Sequence, residues 1–424
     1  MAEKHNELFG DESGHFEEGS APKNVEHTPF EVRTEFFPWH KPRKHYLRQN
    51  QWSKSIATLV DSLKLKDRKR SLHYLSLPGP DLLDVRTLEP MCKLKEVKLS
   101  FLGLNDGGSD GEHNKHLNAA LLSQVLSLPA IDSMSGVVPD KFEHLAKEKS
   151  IAYERIIASH RSFDVINVDL CGTLAEAPPG KPGPTLTNAI FNLINHQAKT
   201  RTEDWLLFLT TRSNKDMVDQ QTMQKMLDWL NELLATDVTL LQKYIESGFV
   251  SNAELTNGRV DLSKLSDKAH SLLFTIGLGH WIFESLFNNQ PAWRVDMLPQ
   301  FGYHVLLRDP TCDMISMGFY CKKMAVAAAQ DSMGLAHVPK SNNMPNPADI
   351  KKACFEKIHR RVQETCDVDV KLHVDQELYK NCLNESAELL KGALYDHEKY
   401  KEFAEAQRKI MEIFLMKHSL VATT

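Results

Sequence analysis

The stretch 163-FDVINVDLCGTLAE-176 decides how the rest of the chain is read. Phe163 to Val168 is a short run dominated by apolar residues. It ends on a carboxylate, Asp169, and a glycine, Gly172, follows three positions later. A short apolar run closed by turn residues is the pattern of a buried parallel strand. The side chain at the strand's carboxyl end then faces a crevice where ligands bind in open α/β sheets. Asp169 and Gly172 are the first candidate site residues on this reading, with Cys171 between them.

Working outward, the same pattern recurs. Residues 72–77 read as a strand, followed by a sharp turn at Pro78-Gly79-Pro80. A short helix is predicted from Asp81 to Leu88, capped by Asp81 and ending before Pro90. A second strand is predicted over 97–104, closing on Asn105-Asp106 and leading into a polar, glycine-rich loop at 105–114. Helical periods follow at 115–128 and 139–161. Beyond the opening stretch come a Pro/Gly-rich loop at 176–184, a helix at 185–199 and a strand at 205–212. Helices are predicted again over 214–235 and 267–288. Residues 303–309 and 314–323 read as two strands joined by four turn residues, an antiparallel hairpin.

Alternating strands and helices imply βαβ units and a parallel sheet. The predicted fold class is therefore α/β, a Rossmann-type doubly wound sheet with a terminal antiparallel hairpin, plus a helical C-terminal domain. Residues just past each strand become site candidates: Leu77, Pro78, Gly79 and Asp81; Asn105 and Asp106; Asp169 and Gly172; Thr210, Thr211 and Arg212. The predicted organisation is a disordered acidic tail over 1–30, an aromatic-basic cap segment over 31–71, and the main domain over 72–323. A linker over 324–348 and helices over 349–424 complete it. These last helices are candidates for oligomerisation or for binding a protein partner.

The segment 36-FFPWHKPRKHYLRQNQW-52 mixes Arg43, Lys44 and Arg48 with Trp39, Tyr46 and Trp52, and a helix is predicted over 52–65. Cations interleaved with aromatics suit nucleic-acid contact. The same residues also suit a cap packed over the domain. Arg43, Lys44 and Arg212 are the candidate substrate-binding cations. A net charge of -5 supplies no global attraction for a polyanion, so any such contact would be local. Seven cysteines in no CxxC or Cys/His zinc spacing suit reduced thiols in a cytoplasm, and no metal site is predicted. The acidic N-terminus does not read as a signal peptide, and no apolar run is long enough to read as a membrane span.

Two chemistries can be drawn through Asp169. In a phosphatase-like reading of the HAD type, whose signature is Asp-x-Asp-Gly-Thr-Leu, Asp169 attacks phosphorus and an acid two residues on delivers a proton. Cys171 occupies that position, and no Asp-Asp pair for magnesium occurs in the chain. That reading also leaves the hairpin without a place. In the other reading, 75-LSLPGPD-81 admits the methionine part of a cofactor, Asp106 holds its ribose and Asp169 faces the acceptor.

With that order, residues 72–323 resemble class I S-adenosylmethionine-dependent methyltransferases. The segment 163-FDVINVDLCGTL-174 is similar to the Asp-Pro-aromatic-Gly motif of tRNA guanine-N2 dimethyltransferases and three-Cys-motif partner proteins, and 204-DWLLFLTTRSNK-215 to the strand that follows it there. The resemblance implies S-adenosylmethionine as cofactor and methyl transfer as activity, with nucleic acid as the candidate acceptor. Asp169 and Gly172 match the motif; Leu170 replaces its proline and Cys171 its aromatic. A methyltransferase-like protein that binds a ligand or partner without catalysis is the alternative those two replacements keep open.

Overall fold

The computed structural model describes residues 32–106, 117, 119–177, 183–236, 238–324 and 346–421. The predicted tail over 1–30, the body of the glycine-rich loop and most of the linker lie outside them. Strands joined by helical crossovers pair in parallel, and five do so here. They are β1 (Leu72–Ser76), β2 (Leu99–Leu104), β3 (Gly136–Val138), β4 (Val165–Asp169) and β5 (Trp205–Arg212), in the order β3-β2-β1-β4-β5. The order reverses between β1 and β4, which opens a crevice at their carboxyl ends.

A two-strand ribbon, β6 (Leu255–Thr256) with β7 (Arg259–Val260), stands apart. Then β8 (Trp293–Met297) and β9 (Phe301–Tyr303) both pair antiparallel with β10 (Met314–Lys323). β10 itself runs antiparallel to β5, from Met314 opposite Arg212 to Cys321 opposite Trp205. A short strand, β11 (Cys366–Asp367), adds to β9 in parallel. This mostly parallel, Rossmann-like sheet with a reversed strand beside β5 is the arrangement the methyltransferase-like reading required. The phosphatase-like reading had no place for that reversed strand.

Alternation along β4 sorts its side chains between layers. Ile166 and Val168 join a core with the helices Leu186–Thr200, Gln220–Thr236 and Asp267–Phe287. Val165 joins the opposite core with Trp52, Ile56, Val85 and Leu88. Asp164, just before the strand, is fully buried and accepts from both guanidinium nitrogens of Arg70 (2.9 and 3.0 Å), the His73 amide (2.7 Å) and Arg201. A third core packs Tyr46 and Leu47 with Phe301, Tyr303 and the C-terminal Leu372, Tyr379 and Tyr400. The helix Pro347–Gln363 buries Ile350, Cys354, Ile358 and Val362 in the first core. The C-terminal helices thus share cores with the sheet.

Several local expectations are corrected. The helix expected over 81–88 spans Leu83–Leu94 and runs through Pro90. Its N-cap is Leu82, in a left-handed conformation (φ 48°), and Asp81 caps nothing. The helix expected over 139–161 is broken into Phe142–Ala146 and a second run in which Ile151–Tyr153 continues into Glu154–Ala158, because Asp140 takes the Ala152 amide (2.8 Å) and Ser150 caps the second run. The hairpin is wider than expected. Residues 304–313 form a loop, since the Asp313 carboxylate takes the Val305 and Leu306 amides (2.6 and 2.8 Å) that a ladder would use. β3, three residues long, had no pattern to reveal it. Among the described residues, no helix is long and apolar enough to cross a membrane.

Candidate functional site

The crevice beyond β1, β2 and β4 is a cleft of about 420 Å³. Leu77, Pro78, Gly79, Asn105, Asp106, Asp169 and Gly172 all line it, so residues spread over 96 positions of sequence meet there. Asn105 ties two of these loops together: its Nδ2 donates to the Pro78 carbonyl (2.9 Å), and its amide donates to Val138 at the end of β3 (3.1 Å). Asp106 faces Lys141 at 3.7 Å. Gly79 leaves room that a side chain would take, since a Cβ there meets nothing within 4 Å. At Gly103 the opposite holds. A Cβ would stand 2.6 Å from Pro78 Cγ and 3.0 Å from Val137 Cγ2, so Gly103→Ala must displace the Pro78 ring or the neighbouring β3. We expect that variant to fold and to lose about 1–3 kcal/mol of unfolding stability, read by urea denaturation.

The roof comes from the N-terminal segment. Pro42–Leu47, Arg48–Ser53 and Lys54–Ser62 form one unbroken helical run, started by Pro42 at its first turn, and its middle is a π-turn. Trp39, Arg48 and Trp52 line the cleft. Arg48 is buried and donates to the Trp39 carbonyl (3.0 Å). Lys44, one turn earlier, is buried with its ammonium 2.5 Å from Asp169 Oδ1 and 3.4 Å from the Tyr303 hydroxyl. Burial alone would lower the Lys44 pKa; the Asp169 carboxylate outweighs it and holds the ammonium above its ordinary value.

The floor is a buried polar network. Asn167 donates to the Tyr74 hydroxyl (2.8 Å), which donates to Asp84 (2.9 Å). Burial raises the Asp84 pKa above the usual carboxylate range, against the hydrogen bonds from Tyr74 and the Val85 amide. Asp81 also borders the cleft, yet its carboxylate is taken by Arg33, His40 (3.1 Å) and the Tyr395 hydroxyl (3.2 Å). Burial pushes that carboxyl up, but the His40 bond and the Arg33 charge overcome it and hold it low. Asp81 fastens the N-terminal segment to the C-terminal helices.

The other candidate cations have internal partners. Arg43 is bound to Asp369 (3.1 and 3.2 Å) and to the His304 carbonyl. Arg212 pairs with Asp313 and ties the end of β5 to the loop before β10. The loop after β4 folds back onto β5: Leu170 donates to Thr210 (3.0 Å), and Leu174 to the Thr211 hydroxyl (2.8 Å). Cys171 is exposed on the cleft's edge. Sequence reasoning missed Arg48, Asp84, Asn167 and Lys141 as cleft residues. Only Arg48 carried a signal, as a cation among aromatics.

A family model described as PP_RS20740-like matches residues 33–405, nearly the whole described chain. The chain belongs to that family. No curated protein sequence matches this PP_RS20740-like chain. Among solved structures it is similar to an rRNA methylase from Streptococcus thermophilus: 11% identity, 60% of this chain and 89% of the other, TM-score 0.26. It is also similar to the plantazolicin methyltransferase BamL, solved with a triazolic desmethylPZN analog and SAH: 10% identity, 66% and 95% covered, TM-score 0.26. Likenesses this distant carry no argument about function; the sheet order and the cleft do.

Proposed function

We propose that the PP_RS20740-like chain binds S-adenosylmethionine and transfers its methyl group. The observation that carries this reading is the cleft at the β1/β4 switch point, which collects the Pro78-Gly79 turn, Asp106 and Asp169 under a helical roof. The residues present fit that cofactor. Asp106 stands at the end of β2, where a carboxylate accepts from ribose hydroxyls. The turn at Gly79 leaves backbone open for the methionine end. Asp84, Asp106, Asp169, Glu143 and Glu176 against Arg48, Lys141 and the Lys44 ammonium on Asp169 leave an excess of carboxylates, which favours a cationic ligand.

When bound, the cofactor supplies an electrophilic methyl group. The chain's contribution is position. Lys44 holds one Asp169 oxygen, so the carboxylate has a fixed orientation in which to accept a hydrogen bond from the acceptor. Trp39 and Trp52 add apolar surface to the cleft wall beside Arg48. Arg43 and Lys44 offer a polyanion little, because both point inward onto carboxylates. An acid-rich cleft favours an acceptor without phosphates.

Titration calorimetry tests the reading. Micromolar S-adenosylmethionine binding that is lost in Asp106→Ala supports it. No binding at millimolar concentration overturns it. Binding without transfer of a labelled methyl group to any component of a cell extract favours the non-catalytic alternative, which Leu170 and Cys171 motivate.

A further inference from the structure

The loop between β9 and β10 carries a second cluster, outside the cleft lining. His304 and Cys312 stand at its two ends, and Asp367 closes β11. One donor atom from each, an imidazole nitrogen, a sulfur and a carboxylate oxygen, lies within 4.8 Å of the other two. The His304 side chain is fully buried. Its Nε2 is 3.3 Å from the Pro310 carbonyl, and a carbonyl only accepts, so Nε2 carries the hydrogen. In the neutral ring Nδ1 then presents a lone pair. That buried nitrogen has no hydrogen-bond partner; Asp369 and Asp367 stand off at 3.5 and 3.7 Å.

The surrounding groups divide into occupied and available. Asp369 is occupied by Arg43 and by the His304 amide (2.7 Å). Asp367 uses Oδ1 to cap the following helix through the Val370 amide (3.0 Å), which leaves Oδ2 toward His304. The Cys312 thiol is bonded to Asp367 and seated against Gly302, where a Cβ would be 2.8 Å from Cys312 Cβ and 3.0 Å from its sulfur. Only glycine leaves that seat. A simple imidazolium between two carboxylates would explain His304 alone. That imidazolium and the thiol's hydrogen bond to Asp367 account for the groups one by one; the convergence of nitrogen, sulfur and oxygen donors within 4.8 Å of one another is the arrangement a metal ion uses.

We propose that His304 Nδ1, Cys312 Sγ and Asp367 Oδ2 bind a zinc ion, with water in the fourth position. Mixed nitrogen, sulfur and oxygen donors at a buried site suit zinc. Tetrahedral zinc at its usual bond lengths sets its ligands roughly 3.3–3.8 Å apart, so the three donors need draw together by about 1.5 Å at most. On binding, Cys312 loses its proton to solvent, and thiolate and carboxylate together balance the ion's charge. The ion pins the β9–β10 loop to the C-terminal helices, so the proposal stands independently of methyl transfer. Spacing hid it, since Asp367 lies 55 residues beyond Cys312.

The full chain, dialysed against a chelator and reloaded, is expected to hold one zinc per chain by elemental analysis. Its Co²⁺ adduct is expected to show a sulfur-to-cobalt charge-transfer band that disappears in Cys312→Ser and persists in Cys171→Ser and Cys366→Ser. Should Cys312→Ser fail to fold, His304→Gln and Asp367→Asn are expected to weaken zinc affinity by about tenfold or more. Sub-stoichiometric zinc, a charge-transfer band that survives Cys312→Ser, or wild-type affinity in His304→Gln overturns the site.

Discussion

Asp164→Ala is expected to lower unfolding stability by about 3–5 kcal/mol, measured by urea denaturation, and to leave the m-value unchanged. Asp164 has no exposed surface, and its two oxygens answer Arg70, Arg201 and the His73 amide. Arg201 is itself buried. Taking away the carboxylate leaves that buried guanidinium with the more distant, part-exposed Glu203 carboxylate (3.4 Å), which costs more than the intact pair contributes. The contacts join the starts of β1 and β4 to the end of the helix Leu186–Thr200, so the loss reaches the sheet's centre. Asp164→Asn keeps the shape and one acceptor and is expected to lose less. Equal stability of wild type and Asp164→Ala would show that the surrounding charges are solvated on their own.

Asp169→Ala, at the other end of the same strand, is expected to act mainly on chemistry. Methyl transfer, followed as S-adenosylhomocysteine formed with a small-metabolite extract as acceptor source, is expected to fall by about 10²–10³-fold. Cofactor affinity is expected to change by less than about threefold, because Asp106 and the Pro78-Gly79 turn remain. A stability loss of about 1–3 kcal/mol accompanies it, smaller than for Asp164 because a quarter of the Asp169 side chain is exposed. Lys44→Met in the Asp169→Ala background is expected to recover part of that loss, since it removes the stranded ammonium. A double-mutant cycle with no coupling between Lys44 and Asp169 would falsify the positioning role given to Lys44.

Much of the architecture was legible because it rests on local pattern. Runs such as 163–168 and 205–212 are too apolar and too short for surface helices, and their alternation with helical periods forces crossovers. Strand ends then name their own site residues, which is why Gly79, Asp106, Asp169 and Gly172 meet in one cleft. The expectation weakened where a side chain competed with the backbone. Asp313 dissolved all but the first residue of the strand predicted over 303–309, and Asp140 broke a predicted helix. The roof segment was ambiguous in sequence, since cations among aromatics read the same whether they face solvent or carboxylates.

The sequence by itself determined the alternation of strands and helices, and with it the sheet and the level at which ligands bind. It did so because hydrophobic period and turn chemistry act over a few residues. Only the tertiary structure decided the partners of the charges. Lys44 meets Asp169 across 125 positions, Asp81 meets Tyr395 across 314, and Arg43 meets Asp369 across 326. Coulomb attraction depends on distance and burial in space, and neither is written in the spacing of residues along a chain. Of the two aspartates in FDVINVDL, the structure made the first a buried clamp and left the second at the cleft.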